Sequence, residues 1–248
     1  MVHASMRKVG GDAQELVAAI DAAVADDGTW MMTLGAEDEW GWVNQRPEDE
    51  REALLEGTPV FDKDTARAEV DNGILAEVFR TTPDTVVSDH PEGRFGARGT
   101  RAHELMAGVP WDDYYGADSP LERFVDLGGK VLRLGADIET VTLLHYAEWR
   151  APLANKQRVR RHRVVKDADG RPVIRVVDTL DDSDGIADYD GVDDDEFGVI
   201  LDEYLATGRA STGRVGGARS ELIDGRDLVE FAVHWIVTHA GSAHRPFP

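Results

Sequence analysis

Residues 118–151, DSPLERFVDLGGKVLRLGADIETVTLLHYAEWRA, hold a helix start, a buried strand and a second helix in one unbroken run. Ser119-Pro120 is a helix opening. A Ser at the cap accepts a free amide, and Pro at the first helical position gives up a donor that would be unpaired there. Lys130 to Leu134 (KVLRL) is a short apolar run between glycines, as expected of a buried strand. It ends at Gly135-Ala136, and helical spacing resumes from about Thr140 to Trp149.

The same grammar extends in both directions. Val2 to Ser5 reads as a strand end running into the turn Val9-Gly10-Gly11, and residues 13–25 as a helix that stops at Asp26-Asp27-Gly28. Residues 29–34 form a strand, 73–80 a helix, and Val86-Val87 starts another strand. Residues 159–165 and 172–177 pair as a hairpin around Asp167-Ala168-Asp169-Gly170. Helices follow over 197–206 and 226–239, the last started by Asp224 or Gly225. Alternating strands and helices define an α/β class, and the hairpin argues against a purely parallel sheet. Residues 36–72 are polar, charged and Trp-rich and read as a long surface excursion. There is no internal repeat and no clean linker, so one domain over 1–248 is expected.

Composition narrows the class further. The 248 residues are 42% hydrophobic, enough for a sizeable core. Cysteine is absent, which excludes disulfides, thiolate chemistry and cysteine-ligated zinc. No apolar run approaches the roughly 20 residues of a membrane span, and no secretory signal opens the chain, so a cytoplasmic enzyme is expected. Asp plus Glu number 48 against 27 Lys plus Arg, a formal net charge of -21. Such a surface repels nucleic acid and anionic membrane and attracts cationic ligands. There is no dinucleotide fingerprint and no P-loop.

Four segments could carry chemistry. His3-Ala4-Ser5-Met6-Arg7-Lys8-Val9-Gly10-Gly11 sets two cations, a hydroxyl and a Gly turn at a strand end, which suits a phosphate-bearing ligand. His90, between Asp89 and Pro91, reads equally as a structural or a site residue. His145 and Glu148 share a helix face at i and i+3. That spacing suits half a metal site or a base beside a carboxylate that meets a cationic substrate, and the second carboxylate helix a metal would need is not found, so no metal is expected. Asp178-Thr179-Leu180-Asp181-Asp182-Ser183-Asp184-Gly185 fails the calcium-loop register but could supply a carboxylate to a histidine. Asp193-Asp194-Asp195-Glu196 reads as a solvated charge run.

In order along the chain, VHASMRKVG (2–10), GILAEVFRTTP (73–83), SDHPEGRFGARG (88–99), the 118–151 run, DDSDGIADY (181–189) and GRVGGARSELIDGRDLVEFAVHWI (213–236) resemble the successive blocks of the aminoglycoside 3-N-acetyltransferases. The resemblance covers nearly the whole chain. It implies an α/β fold with a mixed central sheet flanked by helices, distinct from the common acetyltransferase fold. It implies acetyl-coenzyme A as donor and the 3-amine of a 2-deoxystreptamine aminoglycoside as acceptor. A related acetyl-coenzyme A-dependent enzyme acting on another amine is the alternative. By resemblance, His3, Ser5, Arg7, Lys8 and Val9 contact the cofactor's pantetheine and pyrophosphate, and Ser119 is a further contact. His145 matches the catalytic base. Its acidic partner comes from the 178–184 loop, with Asp181 first and Asp178 and Asp182 close behind. Asp71, Glu148, Glu37 and Asp38 are carboxylates for a cationic substrate, and His90 is placed with them. Family members also carry residues ahead of the VHAS strand, an extension with which this chain does not begin. The resemblance admits a homodimer.

Overall fold

Period-two alternation along KVLRL sends successive side chains to opposite faces. Val131 joins one hydrophobic cluster, while Leu132 and Leu134 join another. The computed structural model describes residues 1–36, 41–192, 195–241 and 244.

The first half of the chain comprises β1 (Val2–Ala4), α1 (Met6–Val9), α2 (Ala13–Val24), β2 (Thr29–Thr33), α3 (Gly41–Asn44) and α4 (Glu48–Leu54). A single 3-10 turn (Val70–Asn72) leads into α5 (Gly73–Thr81), β3 (Val86–Val87), β4 (Phe95–Gly99) and α6 (Ala102–Met106). Then come α7 (Pro120–Asp126), β5 (Lys130–Leu134), α8 (Leu143–Arg150), β6 (Arg158–Lys166) and β7 (Pro172–Leu180). The chain continues through α9 (Glu196–Ala206), β8 (Ser211–Val215), β9 (Ala218–Asp224) and α10 (Gly225–His239).

The expected mixed sheet is present, in the order β1-β5-β9-β8. β1 and β5 run parallel, with His3 opposite Arg133, and the other pairs are antiparallel. A second, antiparallel sheet has the order β2-β4-β3, and β6-β7 is the expected hairpin. One cluster fills the space under α7, α8, α9 and α10, and the other lies between α2, α5 and the β1–β2 side. Asp224 starts the last helix by accepting the amide of Asp227. α1, β4, α6, β8 and β9 were not expected from the sequence.

The 36–72 excursion is more ordered than its composition suggests. It carries α3 and α4, and Val43 and Leu55 pack on Val164 of the hairpin. Arg94, wholly buried, ties its two ends together by donating to the carbonyl of Gly35 on one side and to those of Lys63, Ala66 and Arg67 on the other. Burial pushes that guanidinium down to about 10. Glu37 and Asp38 lie outside the described residues. Among the described residues, no helix is long and apolar enough to cross a membrane.

Candidate active site

β1 and β5 are parallel, so their carboxyl ends lie side by side, the usual place for a ligand crevice in an α/β sheet. Each strand runs directly into a segment with chemistry. The Ser5 amide donates to the carbonyl of Leu134 at 3.0 Å, and α1 begins at once. Ser5 sits at the cap position, but its hydroxyl makes no cap bond. Among the described residues the amides of Met6 and Arg7 have no acceptor, as is normal for a first helical turn. Beyond β5, Gly135 turns with φ +65°. A Cβ there would lie 2.8 Å from Cβ of Ala218 and 3.0 Å from Cβ of Lys8, so glycine lets the two strand ends approach.

α8 follows. Eight residues are too few for a stable isolated helix. Packing holds it: Leu143, Leu144 and Ala147 are wholly buried. His145 stands on the opposite side, about one-fifth exposed (19%). Its Nδ1 lies 2.9 Å from Oε2 of Glu148. Tyr115 stacks on the imidazole at 4.8 Å and 7°, and Phe197 meets it edge-on at 4.7 Å. With Nδ1 engaged and one face stacked on Tyr115, Nε2 is left to accept or give a proton. Burial works against a charged imidazole, but the hydrogen bond and charge of Glu148, then Asp182 and Glu196, outweigh it and raise the His145 pKa. Glu148 itself is 3% exposed. Burial pushes its carboxyl up and His145 pulls it back, so the two groups titrate as a coupled pair.

A cleft of about 470 Å³ joins these pieces, with His3, Ser5, Arg7, Asp71, Glu139 and His145 among its walls. Its lining offers a guanidinium, a hydroxyl and free amides together with carboxylates. Such a cleft can hold an anionic and a cationic ligand at once, with a base between them. Among the described residues, no group of three or more metal-ligating side chains is arranged to hold an ion.

Several expected residues lie elsewhere. Lys8 is exposed and paired with Asp137 at 2.6 Å. The Val9 side chain is turned into the second core, and its carbonyl accepts the Gly217 amide. Ser119 is wholly buried and caps α7 by accepting the Glu122 amide, so its hydroxyl is spent on the helix. Glu148 cannot meet a substrate because it is buried behind His145. His90 is sealed from solvent at 1% exposure. Its Nδ1 accepts the amides of Glu92 and Gly93, and its Nε2 donates to the Trp111 carbonyl. Burial lowers its pKa to about 4. It is a neutral loop anchor that no substrate can reach. His3 lines the cleft with its Nε2 buried and unpartnered, and burial lowers its pKa to about 3.

The three loop aspartates separate. Asp178 is paired with Arg158, and Asp181 accepts the amides of Ser183 and Asp184 in its own turn. Neither makes a hydrogen bond to His145. Asp182 turns inward, where it takes Arg161 at 2.6 Å and the Tyr114 hydroxyl. It shares a small interior space with Tyr115, His145 and Glu148. Sequence reasoning missed Tyr115, Phe197, Glu139 and Glu196. The Tyr114-Tyr115 pair amid aspartates was a signal that could have been read. Glu196 was taken for solvated charge, but it is half-buried, and burial followed by Glu148 raises its pKa.

The family model for aminoglycoside 3-N-acetyltransferases matches residues 1–237. Aminoglycoside N(3)-acetyltransferase VIII of Streptomyces fradiae is 39% identical over 250 residues, which cover 98% of this chain and 87% of that protein. A solved structure described as AAC-IIIb binary with CoASH superposes with a TM-score of 0.89 at 34% identity, covering 100% of this chain and 91% of the other. One described as AAC-VIa bound to sisomicin gives 0.88 at 34% identity, covering 97% and 91%.

Proposed function

Because the chain belongs to the aminoglycoside 3-N-acetyltransferase family, we propose that it moves acetyl from acetyl-coenzyme A to the 3-amine of a 2-deoxystreptamine aminoglycoside, with Nε2 of His145 as the base. The observation that carries this reading is the His145–Glu148 contact at 2.9 Å at the wall of a cleft that also holds Ser5 and Arg7. Relatives that bind coenzyme A and sisomicin support the two ligand classes.

The amine arrives largely as an ammonium and must first release one proton to solvent to become a nucleophile. In this reading Nε2 takes the remaining surplus proton as the nitrogen–carbon bond forms. It returns that proton to sulfur as the carbon–sulfur bond breaks, leaving an amide and a free thiol. Glu148 holds the ring through Nδ1 and stabilises its charged form, and Tyr115 and Phe197 keep it from turning. Help of this kind is worth about 10²–10⁴ in rate. Arg7, the Ser5 hydroxyl and the first amides of α1 fit an anionic donor that approaches from the strand end. Asp71 and Glu139 fit the cationic acceptor, and Asp182 serves from the interior by sustaining charge on His145.

Thiol release measured across a panel of aminoglycosides, with the product mapped by NMR, tests the reading. Acetylation confined to the 3-amine is the expected result. Release with other amines and none with a 3-amino aminoglycoside would replace it with a different acetyltransferase activity.

A further inference from the structure

Lys156 lies in the turn between α8 and β6. It is half-buried, and among the described residues no carboxylate stands within ion-pair distance of it. Its Nζ donates instead to two main-chain carbonyls, Glu148 at 2.8 Å and Trp149 at 2.6 Å. An ammonium withdrawn from water without an anion partner is costly, so its location calls for a reason. The two carbonyls belong to the last turn of the helix that carries His145 and Glu148. In that turn the Ala147 carbonyl is taken by the amide of Ala151 at 2.9 Å. The next two carbonyls have no such amide and would be left open without Lys156.

We infer that Lys156 is a positioning residue for the acid–base pair: by fixing the main chain of Glu148 it sets the contact that aims Nε2 of His145 into the cleft. The ammonium also offsets the negative end of α8 and acts on the charge of Glu148, favouring its ionised form. The charged groups that face Lys156 are Glu148 on α8, Asp113 from the 107–119 loop and Arg158 on β6. Burial lowers its pKa to about 8, with Glu148 and Asp113 opposing. The positioning charge is therefore lost as pH rises through that value.

The inference rests on His145 being the base. The test is kcat from pH 6.5 to 9.5 for wild type, Lys156→Met, Lys156→Arg and His145→Asn, with both substrates saturating. Lys156→Met is expected to lower kcat about tenfold at pH 7, with KM for either substrate changed less than about threefold, since small misplacements of reacting groups cost rate. The wild-type to Lys156→Met ratio should shrink above pH 8. Lys156→Arg, permanently charged, should hold its rate at pH 9.5. If Lys156→Met does not fold, the divergence of wild type and Lys156→Arg above pH 8 carries the test. An unchanged kcat in Lys156→Met, or a loss confined to KM, overturns the positioning role. Full turnover in His145→Asn overturns the base assignment instead, and the two failures are separable.

Discussion

Two histidines, half-buried His145 on α8 and buried His90 in the Ser88–Gly93 loop, have opposite chemistry. Both rings lie against aromatic side chains, Tyr115 and Phe197 for one and Trp111 and Tyr114 for the other. What separates them is the partner of Nδ1. His145 meets a carboxylate and becomes easier to protonate, whereas His90 accepts two amides and is held neutral. Access differs as well, because His145 reaches the cleft and His90 does not. Burial alone therefore says little about a histidine; the group that shares its proton decides.

The widest separation between the two should appear in rate. His145→Asn is expected to lower kcat by about 10²–10⁴, while His90→Asn leaves the kcat of folded enzyme within a few-fold. Steady-state kinetics on both variants would reverse the comparison if His90→Asn proved the worse lesion.

Stability should separate them next, with opposite signs. The folded pKa of His90, about 4, lies below its ordinary 6.5, so its contribution is full above pH 6.5 and fades as pH falls toward 4. The shift corresponds to about 3 kcal/mol. His145 has a raised pKa, so its contribution is present below the unfolded value and lost as pH rises through the folded one. Urea unfolding from pH 4 to 8 should show a smaller acid-side loss in His90→Asn than in wild type. An unchanged slope would remove His90 as a source of acid sensitivity.

Glu148→Gln sharpens the comparison by making His145 more like His90. Without the carboxylate, burial dominates and the His145 pKa falls. The acid limb of kcat should then move to lower pH, with the plateau reduced about tenfold or more but less than on loss of the base. A limb that stays in place would mean Glu148 does not set the ring's proton affinity. The smallest effect is expected at the cleft rim. Asp71→Asn should raise KM for a cationic acceptor a few-fold at low salt with kcat unchanged, and the difference should shrink as salt is added. A change in kcat instead would place Asp71 nearer the chemistry.

Much of the frame was legible in local pattern. The 118–151 run marks α7, β5 and α8 because capping, alternation and turn glycines act over a few residues. β8 and β9 were missed, since GRVGGARSELID has no continuous apolar run and its strands are defined by pairing, β9 with β5 and β8 with β9. The excursion was read as loose because its stabiliser, Arg94, lies more than twenty residues beyond it in sequence.

The sequence by itself determined the α/β class, the family likeness and the His145–Glu148 spacing, because each depends on neighbours within a turn or two. Only the tertiary structure decided which aspartate turns inward and which histidine opens on the cleft. It also decided that Ser119 and Val9 serve the fold rather than the cleft. Those outcomes depend on solvent exposure and on partners brought from distant parts of the chain. Glu148 lies three residues from His145, but Tyr115 and Phe197 meet the ring, and Asp182 comes near it, only when the chain folds.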